Sequence, residues 1–146
     1  MVFLRTYTLV ALLLMLATAA AAQPAANEFP AVQGTRRALI VGISEYNEPS
    51  LKLNYAASDA ALFREYLLKI EKLQAEDITY LTSNDPSAET YAGALGVYNA
   101  LDQLLETTQP EDLVYIYFAG HGDVVKKITR YEGYLLAADA NASQNY

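Results

Sequence analysis

Cysteine is absent from the 146-residue sequence. That excludes a disulfide framework, a lipid-modified amino-terminal cysteine, and a cysteine nucleophile within these residues. Basic residues are also scarce: 10 Lys and Arg stand against 17 Asp and Glu, for a formal net charge of −7. Such a chain lacks the basic footprint that a phosphate backbone requires, which argues against a nucleic-acid partner. The acidic balance suits a basic substrate or a cation, and at the least it favours solubility. Histidine occurs once, as His121. No internal repeat and no low-complexity tract follows the amino-terminal segment. What remains, 53% hydrophobic and 18% charged, fits one globular domain with a real core.

Residues 1–22 carry a single charge, Arg5, then an apolar stretch from Leu9 to about Leu16, then alanines up to Ala20-Ala21-Ala22 before Gln23. A charged start, an apolar middle and small residues at the cleavage positions make the pattern of a secretory signal peptide. The apolar stretch is short against the roughly 20 residues of a membrane span. The expectation is export to a periplasmic or extracellular location, with no membrane association after cleavage. Losing Arg5 makes the net charge one unit more negative. Residues 23–35, with Pro24, Pro30 and Gly34 and no periodicity, read as a linker.

From Arg36-Arg37 onward the pattern alternates. Ala38 to Ile43 is a short continuous apolar run, suited to a strand covered on both faces. Ser44 to Asn54 reads as a loop. A helix is expected from about Ala57 to Lys72, with Leu62, Phe63, Tyr66, Leu67, Ile70 and Leu73 on one face and Ser58 or Asp59 as its cap. Ile78–Thr82 reads as a second strand. Asp85-Pro86 is expected to open the next helix, with Tyr91, Leu95, Tyr98, Leu101 and Leu105 on its apolar face. Residues 113–118 form a third strand, Val124 to Tyr131 a small hairpin or loop, and Gly133 to Ala137 another short strand. Strands alternating with helices imply parallel pairing and right-handed crossovers. The fold class is α/β, a three-layer sandwich with a mainly parallel sheet. Three main strands make a thin sheet with an exposed edge, so the domain, residues 36–146, is expected to be interrupted.

The third strand stops at Gly120-His121-Gly122, which puts an imidazole at the carboxyl edge of a sheet, where α/β proteins keep their ligand sites. Taken alone, His121 could simply cap the strand in a turn. Four stretches together resemble the caspase-like cysteine peptidases, and more closely their metacaspase and bacterial relatives. These are Arg37 to Tyr46, Leu53 to Ala60, Tyr117 to Gly122, and Gly133 to Ala140.

The resemblance implies a histidine–cysteine dyad that cleaves peptide bonds. His121 would be general base and acid, and the Gly122 N–H would hold the oxyanion. Asp59 matches a position where metacaspases place a carboxylate for arginine or lysine before the cut; the plainer role is a helix-start aspartate. Lys52 and Leu53 stand where animal caspases use arginine, so aspartate specificity is not supported. The family often needs calcium; here Asp123 and Asp139 offer weak support for it, and no other cofactor is implied. Ala119 replaces a serine common in metacaspases. The nucleophilic cysteine belongs to a strand beyond the region matched by Asp139, so these residues are not expected to perform the chemistry alone. Two alternatives stand beside a peptidase domain: a non-catalytic binding or regulatory module on the same scaffold, and an exported α/β domain binding a small ligand.

Overall fold

The computed structural model describes residues 32–141. The expected signal segment, most of the linker, and residues 142–146 lie outside the described residues. Strands β1 (Arg36–Gly42), β2 (Ile78–Thr82) and β3 (Leu113–Ala119) form a parallel sheet in the order β2-β1-β3. Helices α1 (Ala56–Lys69) and α2 (Ala94–Thr107) make the crossovers, and β4 (Gly122–Lys126) pairs antiparallel with β5 (Tyr131–Leu135). Among the described residues no helix is long and apolar enough to cross a membrane.

The layers follow from the alternation of β1. Ala38 and Ile40 pack with Ala60, Leu67 and Leu73 on the α1 side. Leu39 and Val41 pack with Leu81, Ala100 and Leu104 on the α2 side. Side chains that alternate across a strand reach both helices only if each covers a different face, so the three-layer α/β arrangement is the one expected. Fully burying a side chain such as Ile40 contributes about 1.5–3 kcal/mol.

The helices present the faces the spacing suggests only in part: Phe63, Leu67 and Leu73 pack inward as expected, and the rest turn differently. In α1 the inward residues are Ala56, Ala60 and Leu67, while Leu62, Tyr66 and Ile70 are exposed. A Cβ on Gly42 would stand 2.5 Å from the Ala60 Cβ. The helix therefore lies close on β1 through small residues, which turns the larger ones outward. In α2, Ala100 and Leu104 are inward, and Leu95, Tyr98, Leu101 and Leu105 are exposed. Summed apolar size marks a stripe; it does not reveal which stripe can approach the sheet.

The helix boundaries differ too. Asp85-Pro86 opens a turn, because Asp85 Oδ1 accepts from the Ser87 N–H and hydroxyl and so competes with a helical first turn. Helix α2 starts only after Gly93. Helix α1 ends at Lys69, and Lys72 takes φ 57°, the left-handed conformation that commonly follows a helix end. Neither Ser58 nor Asp59 caps α1; the Ala57 N–H donates to Ser44 Oγ instead (2.9 Å). At the domain start, Gly34 N–H donates to Glu111 O and Thr35 N–H to Asp112 Oδ1. Gly34 and Thr35, inside the expected linker, are thus held against the domain.

Strand β3 contains no buried residue, and Ile116 at its centre is 62% exposed. Its register toward β1 is fixed at both ends: Leu113 N–H donates to Thr35 O, and Ala119 O accepts from Ile43 N–H. In a parallel ladder, alternate residues direct both backbone groups to one side. Residues 113, 115, 117 and 119 therefore serve β1. Val114, Ile116 and Phe118 turn theirs to the far edge, which has no partner strand among the described residues.

Candidate active site at the carboxyl edge of the sheet

His121 follows β3 after Gly120 and is half-buried. Its backbone N–H donates to the Tyr46 hydroxyl at 2.8 Å, and its ring Nε2 lies 2.9 Å from the Leu51 carbonyl oxygen. A carbonyl only accepts, so Nε2 carries the hydrogen. In the neutral ring that leaves Nδ1 as the basic nitrogen. The Tyr46 and His121 rings sit 5.4 Å apart at 55°. Tyr46 is only 9% exposed. Burial raises its hydroxyl above the ordinary range, partly opposed by the His121 amide, so it remains a neutral phenol near pH 7.

The loop bearing Tyr46 and Leu51 is pinned along its length. Ser83, buried at the end of β2, accepts from the N–H groups of Ser44 and Glu45 at 3.1 and 2.9 Å. Leu53 N–H returns to Ser44 O, and Asn47 N–H reaches Ala138 O. Pro49–Leu51 forms a single 3₁₀ turn whose start is held by Glu48 Oε1 and the Ser50 N–H. These bonds place the Leu51 carbonyl that orients the imidazole. Sequence spacing gave no sign of Leu51, Tyr46 or Ser83 as supports, since their partners lie up to 75 residues away.

The two glycines around His121 act differently. A Cβ on Gly120 would stand 2.8 Å from Tyr46 Oη and 2.9 Å from the Phe118 ring, so only glycine fits there without displacing a side chain. Gly122 is exposed at the start of β4. Its direction follows from the hairpin ladder: Leu136 N–H donates to His121 O, and Lys127 N–H to Arg130 O. With that register, residues 121, 123, 125 and 127 bond across to β5 or its flanks. The Gly122 N–H therefore points away from the hairpin.

Asp59 is exposed in the first turn of α1. That turn follows the loop from β1, so Asp59 lies at the same carboxyl end of the sheet as His121. Its carboxylate accepts no hydrogen bond among the described residues. Asp139 lies at the start of α2, at the same carboxyl edge of the sheet, where its Oδ1 accepts from the Ala94 N–H at 2.9 Å. Asp123 Oδ1 accepts from the Val124 N–H. Among the described residues no three His, Asp or Glu side chains converge to hold a metal ion.

A parallel sheet between two helix layers, with a lone histidine held between glycines at the carboxyl end of its third strand, defines the histidine-bearing part of a caspase-like domain. The profile of the metacaspase, peptidase C14 domain matches residues 36–144, and the chain belongs to that family. It is 28% identical to Metacaspase-1B of Aspergillus terreus over 95 residues, 65% of this chain and 25% of that protein. It is 28% identical to Metacaspase III c of Phaeodactylum tricornutum over 104 residues, 70% of this chain and 30% of that one. Metacaspase-1 of Pyricularia oryzae is 24% identical over 97 residues, 66% and 24% of the two chains. The matched region thus spans about a quarter to three-tenths of these relatives.

Proposed function

We propose that these residues form the histidine half of a cysteine endopeptidase acting on proteins, with the thiol carried on a strand added at the free edge of β3. One observation carries the reading. The Leu51 carbonyl holds Nε2–H, which leaves Nδ1 to exchange a proton with a neighbouring group. In the proposed reaction Nδ1 takes the thiol proton, and the thiolate attacks the peptide carbonyl. The outward Gly122 N–H stabilises the resulting oxyanion. The intermediate collapses to a thioester as Nδ1–H protonates the departing amine. Water, deprotonated by the same nitrogen, releases the acid and restores the thiol. The sequence supplies no thiol, so alone these residues support binding or regulation, the second reading.

Asp59 is assigned to arginine or lysine recognition before the cut, because its carboxylate is exposed on the first turn of α1 at this end of the sheet. The test joins these residues to the carboxyl portion of the Aspergillus terreus relative and follows hydrolysis of Arg- and Lys-containing fluorogenic peptides. His121→Ala should lower kcat by about 10²–10⁴-fold, the usual worth of a positioned acid–base. Turnover equal to the parent chimera would refute the assignment. Asp59→Asn should mainly raise KM for basic peptides. Export through residues 1–22 is proposed as well. The amino terminus of the secreted protein should then begin at Gln23, and a chain retaining Met1 would contradict it.

A further inference from the structure

We infer that Tyr46 is a positioning residue for the proposed dyad: its hydroxyl fixes the main chain entering His121, and with it the place from which the imidazole acts. The inference rests on the peptidase reading for its effect on rate, but not for its effect on the histidine itself. Planar peptides select the residue. The His121 N–H donates to Tyr46 Oη at 2.8 Å, which holds the peptide between Gly120 and His121. The Leu136 N–H donates to His121 O at 2.9 Å, which holds the peptide between His121 and Gly122. Both peptides are trans, and a trans peptide is a rigid plane. Two held planes fix φ and ψ at His121, and so the direction of its Cα–Cβ bond. The second plane also carries the Gly122 N–H, opposite the His121 carbonyl. The Leu51 carbonyl, 2.9 Å from Nε2, then sets the ring.

Of these three holding groups, those at Leu51 and Leu136 are backbone groups, which almost any residue supplies. The Tyr46 hydroxyl is the side chain among them, so the arrangement depends on what stands at position 46. Its reach is fixed as well. The Tyr46 ring lies in the α2-side core with Ile43, Leu81 and Ala138. The next residue is tied down, because the Asn47 N–H donates to Ala138 O at 2.8 Å. Tyrosine is a stiff side chain with few torsions to lose. Oη comes so close to the strand end that a Cβ on Gly120 would stand 2.8 Å from it. Phenylalanine at this position would keep the ring in the core and beside the imidazole, yet leave the His121 N–H without its acceptor. Tyr46 acts only through His121, as a support that keeps a reacting group within the narrow range of productive geometry.

Tyr46→Phe tests this in two settings. In the chain itself, NMR follows exchange of the His121 ring Nε2–H with water. Tyr46→Phe should speed that exchange about tenfold or more, because a loosened main chain lets the ring leave the Leu51 carbonyl. Ile40→Val trims the core on the α1 side of β1 and should leave the exchange unchanged, which separates positioning from a general loss of stability. In the chimera with the carboxyl portion of the Aspergillus terreus relative, Tyr46→Phe should lower kcat about 10–100-fold and leave KM within about twofold, as misplacing a reacting group does. Ring exchange in Tyr46→Phe at the parental rate would overturn the inference, whatever the turnover. So would a parental kcat in a chimera that His121→Ala inactivates, or equal acceleration of ring exchange by Ile40→Val. A chimera indifferent to His121→Ala instead refutes the peptidase reading, so the two failures are distinguishable.

Discussion

Strands β1 and β3 have equal length, pair in register along their whole extent, and are both apolar through their middles. Yet β1 is buried from Ala38 to Gly42, while no residue of β3 is. β1 has a neighbour on each edge and a helix on each face. Among the described residues β3 has one neighbour, and Phe63 of α1 stacks on its Tyr117 side. The comparison separates two things that composition merges. A strand's sequence states the cover it is suited to, whereas its neighbours determine the cover it has. In β3 the mismatch falls beside His121, the part of the sheet where chemistry is proposed.

The sharpest way to break the comparison is to truncate matched positions. Ile40 is fully buried and Ile116 is not. Ile40→Ala should cost about 2–5 kcal/mol in urea unfolding, from lost burial plus a cavity. Ile116→Ala in dilute solution should stay within about 0.5 kcal/mol, as exposed substitutions do. Similar costs at both positions would mean that β3 is covered after all.

The glycines that close the two strands sharpen it further. A methyl on Gly42 would press on Ala60 Cβ and the Ala56 carbonyl, while one on Gly120 would meet the Tyr46 hydroxyl and Phe118 ring. Gly42→Ala must move a helix and should cost about 1–3 kcal/mol. Gly120→Ala needs only side chains to give, so it should destabilise less. It should, however, displace Tyr46 and change the His121 ring environment in NMR spectra. Gly120→Ala proving the more destabilising of the two would contradict this picture.

The smallest effect concerns the bottom of both strands. Asp112 accepts from the Gln109 and Thr35 N–H groups and from Arg37 Nε. The Gln109 amide chiefly, with Arg37 and Thr35 adding, holds its carboxyl below the ordinary value of 3.8. A carboxyl depressed in the folded state contributes stability that is complete above its unfolded pKa and is lost as pH falls through the folded one. Unfolding midpoints should therefore fall below about pH 4, and Asp112→Asn should flatten that part of the profile. An unchanged profile would remove Asp112 from the clasp between β1 and β3.

Much of this was legible from local pattern. The apolar runs placed all three parallel strands, the glycines around His121 placed the edge, and the weak alternation from Val124 onward became a hairpin. The helix faces were legible only in part: Phe63, Leu67 and Leu73 pack inward as their spacing suggests, but the fit of Ala60 against Gly42 is a property of two distant segments. The orientation of the imidazole was not legible. It depends on a backbone carbonyl at Leu51 and a hydroxyl at Tyr46, both held by bonds from Ser83 and Ala138 that no spacing encodes. The role of Asp139 shows the same limit: its cap on the Ala94 N–H joins residues 45 apart in sequence.

The most direct test is amide hydrogen exchange resolved by NMR, at a concentration where sedimentation shows monomer. Exchange should be slow throughout Ala38–Val41 and should alternate along β3, with Tyr115 and Tyr117 slow and Ile116 and Phe118 at least tenfold faster. Uniformly slow exchange along β3 in the monomer would show its outer edge already paired, and would contradict the open edge beside His121 at which the thiol-bearing strand is proposed to add.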